Sequence, residues 1–537
     1  MFSVWLKYSY SHIKTMKKSI IASCIILFIC SIAYAQSGSL DNTFGTNGKV
    51  TTAFGNSNEY GYAVAMQNDG KIVVAGCNSN NTKENFALVR YNNDGNLDDI
   101  FGMSGKVTTD FGSGNAYCRT VTIQNDGKIL TGGYSDNDTN EDFALVRFNS
   151  NGTLDSTFAS DGKVNTALGS SDDAAYSMAI QNDGKIVLVG TTNNGINHDF
   201  ALVRYNSDGS LDNNFGSGGK VTTDIGSADD YGYSVALQSN GKIVVAGFTN
   251  NGANWDFALV CYTSNGNLDS TFGSGGKVIT AVGSGDDSGR SVVIQSDGKI
   301  LVSGYSYNGG GYGFALIRYT SNGTLDDTFG IQGKVTTTIG NSNDCGNSVA
   351  IQNDGKIVVA GYTNNGGTDN DFAVVRYLSD GTLDNTFGSD GKITTTIGSS
   401  HDVGVSLVIQ SDNKIVVVGF SNNGTNYDFA IVRYNNVVTG IEKFNNSPLE
   451  MEIYPNPTIG KIKLKRGDWD LISGIEIYNT LGKKVYASTY SPQSNKVNAM
   501  EEIDISNSPK GLYFVGFLLV GEEGTGKKVC SKKVILQ

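Results

Sequence analysis

Between Leu40 and Tyr434 the apolar residues fall in short runs, among them Ile243-Val244-Val245-Ala246 and Phe257-Ala258-Leu259-Val260, separated by clusters of Asn, Asp, Ser and Gly. No 3.6-residue periodicity is sustained in this stretch, so a helical solenoid is excluded and the runs read as β-strands. Successive positions of a run are apolar, which requires cover on both faces of the sheet it builds. Sheets stacked face to face supply that cover.

The pattern is periodic. An LDxxF element begins at Leu40, Leu97, Leu154, Leu211, Leu268, Leu325 and Leu383, giving five intervals of 57 residues and one of 58. A QxDGK-like element recurs in phase from Gln67 to Gln410, and an FALVRY-like element closes each copy from Phe86 to Phe429. In the fourth copy the four strand-like runs span 220–225, 233–237, 242–248 and 256–262, with Ser239-Asn240-Gly241 between the second and third. Glycine there supplies the positive φ of a tight hairpin, so those two strands should be antiparallel neighbours. Four short strands in each of seven copies predict an all-β fold, a seven-bladed β-propeller. The array starts just before a GKVTT run and stops after an FALVRY-like run, so the last copy lacks an outer strand. Residues 49–54 are expected to pair with 428–434 and close the ring, which removes two exposed edges.

The ends of the chain are different. Lys7, Lys14, Lys17 and Lys18 precede an apolar run over 20–32 and Ala33-Tyr34-Ala35, the pattern of a secretory signal peptide over 1–35 with cleavage between Ala35 and Gln36. Met16 is the more natural start for such a leader. No other segment is apolar enough to cross a bilayer, so the mature chain is expected to lack a transmembrane segment. Pro448, Pro455, Pro457, Pro492 and Pro509 are the only prolines, and all follow the last repeat. The domain boundaries read as propeller over 36–436, linker over 437–448 and a separate domain over 449–537. Its alternating runs predict a small β-sandwich of about seven strands.

The formal net charge is −12, with the acidic excess concentrated in the repeats, and this disfavours a nucleic-acid partner. The only histidines are His12, His198 and His401, a poor basis for a Ser-His-Asp triad or a multi-histidine metal site. The cysteines outside the leader, Cys77, Cys118, Cys261, Cys345 and Cys530, are odd in number and out of phase with the repeat, so they define no disulfide framework. Asp pairs at Asp172-Asp173, Asp229-Asp230 and Asp286-Asp287 suit either turns or a hard cation such as Ca²⁺; no EF-hand spacing accompanies them. Otherwise no cofactor is implied. Asp41, Asp98, Asp155, Asp212, Asp269, Asp326 and Asp384 recur with Arg90, Arg147, Arg204, Arg318, Arg376 and Arg433, while Cys261 takes the remaining Arg position. Such a set reads as internal ties, because buried Arg needs a partner. Tyr60, Tyr117, Tyr176 and Tyr231, together with the Asn-Gly loops at Asn194, Asn251, Asn308 and Asn423, are the features best suited to sugar contact.

The LDxTFGxxGKV and DGKIVVAG phrases resemble the delta-60 repeat family of bacterial β-propellers over about 37–436. That resemblance implies the fold and is silent on activity. The C-terminal domain resembles the type A sorting domain of type IX secretion cargo. Tyr454-Pro455-Asn456-Pro457, then Gly482-Lys483 after Asn479, then Gly511 and Tyr513, then Lys533 and Leu536 give its YPNP, NxxGK, GxY and KxxL in order. The resemblance implies Sec export followed by outer-membrane translocation through the type IX machinery, in a Bacteroidetes-type bacterium. It places the protein in the medium or on the outer cell surface, with the sorting domain often removed. The expectation for function is a monomeric, non-enzymatic module that binds a glycan or protein through loops at one end of the ring. A carboxylate-based hydrolase or lyase acting on carbohydrate, and a structural spacer, are the alternatives.

Overall fold

The computed structural model describes residues 37–436 apart from 113, 227, 341–342 and 365–368, and in the C-terminal part 451–455, 458–466, 472–479, 484–489, 501–519 and 527–536. The leader with its Ala35-Gln36 junction and the linker over 437–448 lie outside the described residues. The chain divides into two compact units, Ala35–Val437 and one holding Val438–Gln537. No helix among the described residues is long and apolar enough to cross a membrane.

The first unit is seven four-stranded antiparallel sheets. Blade 1 runs outward from an inner strand, Glu59–Met66, through Ile72–Ser79 and Glu84–Tyr91 to a short outer strand, Lys106–Thr109. Blade 4 repeats this with Asp230–Leu237, Ile243–Asn250, Trp255–Tyr262 and Lys277–Thr280. The hairpin at Ser239-Asn240-Gly241 forms as its sequence requires: the Gln238 amide donates to the Lys242 carbonyl at 2.9 Å, and Gly241 has φ +83°. Every sheet borrows its outer strand from the following copy, so Lys220–Thr223 pairs with His198–Tyr205 of blade 3. The last blade has no following copy. Its outer strand is Lys49–Thr52 from the start of the array, in register from Lys49 opposite Val432 to Thr52 opposite Phe429, and the ring closes as the phase of the repeat demands.

The cores lie between blades. Val187, Val189, Phe200 and Leu202 of blade 3 meet Val235, Val245, Ala258 and Val260 of blade 4, and each other interface repeats the arrangement. Burying an aliphatic side chain of this size contributes roughly 1.5–3 kcal/mol, so a sheet apolar on both faces is stable only with a neighbour on each side. Two polar layers reinforce the stack. Arg204 Nε lies 2.8 Å from Asp212 Oδ2, which also takes Lys185 Nζ at 2.9 Å, and the guanidinium carbon sits 4.4 Å above the Phe215 ring. The same triplet recurs at the ring closure, where Arg433 and Lys414 meet Asp41. Farther out, the Tyr205 hydroxyl donates to Thr166 Oγ1 of the preceding blade at 2.9 Å, and five equivalent tyrosines, Tyr91 among them, do the same.

The C-terminal unit contains a three-stranded sheet, ordered Met451–Tyr454, Lys461–Arg466, Glu501–Asp504, and a four-stranded sheet, ordered Lys484–Thr489, Ile472–Asn479, Gly511–Leu519, Lys527–Leu536. Ile462, Ile503 and Ile505 share one core with Ile475, Ile477, Tyr513, Val515, Val534 and Leu536.

Candidate functional site

The seven inner strands contact one another around the ring, Asp402–Ile409 meeting Glu59–Met66, and enclose a central channel. Each inner strand carries a β-bulge at the same place, where the register with its partner skips one residue: Tyr62, Arg119, Tyr176, Tyr233, Arg290, Asn347 and Val405 in blades 1 to 7. A bulged residue is freed from the ladder and its side chain is re-aimed, a device common beside functional sites. All seven line one cavity of about 350 Å³. The bulge explains the glycine of each IVVAG-like run. A Cβ on Gly247 would lie 1.8 Å from the Tyr231 carbonyl oxygen, so only glycine fits under the bulged strand.

Around the ring the layer forms two stacked groups. The Arg119 guanidinium carbon sits 4.1 Å from the Tyr62 ring centroid, and Arg290 sits 4.3 Å from that of Tyr233, whose ring stacks on Tyr176 at 4.6 Å. Each arginine is steered from behind by the second strand of its blade: Arg119 Nη2 donates to the Tyr134 hydroxyl at 2.8 Å and Arg290 Nη2 to the Tyr305 hydroxyl at 3.0 Å. Asn347 Nδ2 donates to the Gly404 carbonyl at 2.8 Å. One residue further along, a serine ties neighbouring inner strands; Ser177 Oγ, for example, accepts the Val235 amide at 3.2 Å. The layer offers aromatic rings, hydroxyls, an amide and two guanidinium groups.

The structure separates the residues that the sequence grouped. Tyr176 belongs to the channel layer. Tyr60, Tyr117 and Tyr231 occupy a position two residues earlier, inside the inner strand rather than before it. Tyr231 is enclosed by His198, Phe248 and Trp255 at ring distances of 4.9, 5.2 and 5.8 Å, and its hydroxyl lies 3.1 Å from His198 Nδ1. The Asn-Gly loops spend their amides internally: Asn194 Oδ1 accepts the Ile196 amide at 2.9 Å, and Asn197 Nδ2 reaches the Ala228 carbonyl of the next blade at 2.8 Å. The sequence reading missed Tyr62, Arg119, Tyr233, Arg290, Asn347 and Val405. Their signal was a position that changes in almost every copy between neighbours that hardly change.

The Asp pairs act as blade connectors. Asp229 Oδ1 accepts the His198 amide at 2.9 Å, and the fully buried Asp230 accepts the Ile225 amide at 2.6 Å. Burial raises the carboxyl pKa of Asp173, Asp230 and Asp402 above the usual range. At the equivalent place in blade 1, burial pushes Glu59 up to about 7, with Asp428 of the last blade adding to the effect. Among the described residues one set could hold a cation, Asp199, Asp224 and Asp230, whose carboxylate oxygens lie within 4.8 Å of one another; Asp199 and Asp230 are buried. His401 Nδ1 accepts the Asn370 amide at 3.3 Å and Nε2 lies 3.8 Å from Asp369.

In the C-terminal unit Gly511 and Tyr513 pair with Leu536 and Val534 of the last strand, so the GxY and KxxL motifs are spatial neighbours. Tyr513 and Leu536 are buried in the common core, and the Tyr513 hydroxyl donates to the Pro509 carbonyl. Tyr454 lies opposite Lys463, Pro455 is exposed, and Lys533 lies opposite Phe514. Asn456, Pro457, Gly482 and Lys483 fall outside the described residues.

Propeller and terminal unit together define an exported β-propeller protein, carried by type IX secretion to the cell surface or the medium. Residues 67–101, 124–158, 181–215, 238–272, 295–329, 352–387 and 410–437 match the family described as "Domain of unknown function (DUF5122) beta-propeller", and residues 452–537 match "Secretion system C-terminal sorting domain". The chain belongs to this propeller family and ends in that sorting domain. No curated protein matches it. Among solved structures it is similar to a catalytically inactive virginiamycin B lyase from Staphylococcus aureus bound to quinupristin, at 12% identity over 72% of this chain and 98% of that one, TM-score 0.41. Sqt1 of Chaetomium thermophilum is similar at 12% identity over 72% and 97%, TM-score 0.40.

Proposed function

We propose that this protein is a non-enzymatic binding module of the cell exterior, acting as a monomer, and that it takes a saccharide in the channel of the propeller. One contrast carries the reading. The Arg–Asp and Tyr–Thr layers recur almost unchanged from blade to blade, whereas the bulge layer reads Tyr, Arg, Tyr, Tyr, Arg, Asn, Val. A residue type repeated in nearly every blade serves the ring. A layer that differs around the ring builds one asymmetric site, and function is argued from such a site rather than from the fold. Its volume of about 350 Å³ suits a small ligand. Aromatic bodies with polar tips are the usual means of holding an amphipathic ring.

Export follows from the two ends of the chain: cleavage between Ala35 and Gln36, then recognition by the type IX machinery of the C-terminal domain whose sorting motifs are Tyr454-Pro455-Asn456-Pro457, Gly482-Lys483, Gly511, Tyr513, Lys533 and Leu536. Deleting 447–537 should leave the propeller in the periplasm, as scored by protease accessibility on intact cells. Normal surface display of the deletion would refute this route.

A glycan array probed with the secreted chain, run beside a hydrolase and lyase product assay, tests the binding reading. Retention of a glycan without turnover is expected, lost in Tyr176→Ala and kept in Tyr231→Ala, which lies outside the channel. Turnover abolished by a single Asp→Asn change would replace binding with carboxylate catalysis. Retention insensitive to Tyr176→Ala would move the site away from the channel.

A further inference from the structure

We infer that the channel ligand is acidic, a saccharide whose carboxylate or sulfate group is held between Arg119 and Arg290. The inference rests on the channel reading above and adds the charge of what binds there. The propeller contains eight arginines. Six, Arg90, Arg147, Arg204, Arg318, Arg376 and Arg433, are ion-paired to the Asp of an LD element. Arg119 and Arg290 have no carboxylate within ion-pair distance among the described residues. Both are half-buried in the channel wall, and both are in the layer that varies between blades.

Their donors are largely unspent. A guanidinium presents five N–H groups in a rigid fork. Among the described residues the hydrogen-bond partner of good geometry is a tyrosine hydroxyl, Tyr134 for Arg119 and Tyr305 for Arg290, and the buried Nε of each has no acceptor. The cation is held over a tyrosine face, an attraction of only about 0.5–2 kcal/mol that does not replace a charge partner. Half-burial of a guanidinium without a counter-charge is costly, and a bidentate anion removes that cost while using the fork. The cost is tolerated twice, in a propeller whose overall charge is strongly negative and would otherwise repel an anion.

Position gives the ligand its shape. Arg119 belongs to blade 2 and Arg290 to blade 5, three blades apart on a ring of seven, so the two guanidinium groups face the channel from nearly opposite walls. Between them along one side stand Tyr176 and Tyr233, stacked on each other. An acidic sugar residue placed there meets a cation at either side, with tyrosine hydroxyls between them; Asn347 and Val405 form the remaining, weakly polar wall.

The test is calorimetric titration of the full chain with three probes: a tetragalacturonate, a sulfated galactan tetrasaccharide and neutral cellotetraose. An acidic probe is expected to bind at least tenfold tighter than the neutral one and to weaken as salt is raised from 50 to 500 mM, about the behaviour of a screened ion contact. Preference between the first two probes reports whether carboxylate or sulfate is the natural group. Arg119→Gln and Arg290→Gln should each weaken the acidic probe tenfold or more, with Arg290→Lys intermediate. The wild-type comparison of acidic and neutral probes stands even where a variant folds poorly. Cellotetraose binding as tight as the acidic probes, lost in Tyr176→Ala but untouched in both Arg→Gln variants, would keep the channel and overturn the acidic ligand. Failure of all three probes would overturn both.

Discussion

At the scale of single residues the repeat supplies its own controls. Blade 4 carries Cys261 where six copies have Arg, and its Asp269 is left with Lys242 Nζ at 2.6 Å. The carbonyl of Ser321, which the missing guanidinium would have reached, accepts instead from Gln238 Nε2 at 3.0 Å. Cys261→Arg should restore the common arrangement, since Asp269, Phe272 and Lys242 already stand in place, and should stabilise the fold by about 1–2 kcal/mol through charge-assisted hydrogen bonds. Chemical denaturation checks it; a lower midpoint would show that blade 4 has repacked around the smaller side chain. The reciprocal change, Arg204→Met, strands the buried Asp212 and should cost about 3–5 kcal/mol, less whatever Lys185 still compensates. These ties were legible in the sequence because partners recur in phase. The channel layer was not. Tyr176 looked equivalent to Tyr60, Tyr117 and Tyr231 as one more tyrosine near the start of a strand, and nothing in the residue types says that a bulge re-aims the side chain two positions later.

At the scale of elements the strand count, the hairpins and the ring closure all followed from the phase of the repeat, because each strand's partner is dictated by where turn residues fall. What the sequence does not show is the bulge. It brings the facing backbone onto Gly247 and its equivalents, a contact that exists only after the sheet has formed. The closing strand Lys49–Thr52 is the element whose removal is most informative. It brings Asp41 to Arg433 and Lys414, and it covers the edge of Tyr427–Tyr434. A chain lacking residues 37–54 should therefore unfold earlier and self-associate through the bared edge. Light scattering and thermal denaturation measure both; a monodisperse chain with an unchanged midpoint would mean that three strands suffice to finish the last blade.

For the propeller as a whole, two belts of carboxylates respond to pH in opposite senses. In the Arg–Asp belt burial opposes ionisation, but the Thr43 hydroxyl and amide, Lys414 and Arg433 outweigh it and hold Asp41 down to about 2. Such groups contribute stability above the unfolded pKa, near 3.8, and lose it as pH falls toward the folded value. The inter-blade belt does the reverse. Burial raises Glu59 to about 7, and it raises Asp173, Asp230 and Asp402, so their contribution is complete below the unfolded values and disappears as pH climbs through the folded ones. The two windows leave the ring most stable in mildly acidic solution, near the unfolded carboxylate values and below 7. Thermal midpoints should accordingly fall between pH 5 and pH 8. Glu59→Gln, which keeps an acceptor toward the Gly55 amide but cannot ionise beside Asp428, should remove roughly 2 kcal/mol of that decline. A midpoint that rises from pH 5 to pH 8, or a Glu59→Gln chain with the wild-type slope, would show that the belt is already open to water. The channel cations take no part in this balance, because guanidinium groups stay charged throughout. Loss of acidic-ligand affinity over the same range would therefore report loosening of the blades and not titration of the site.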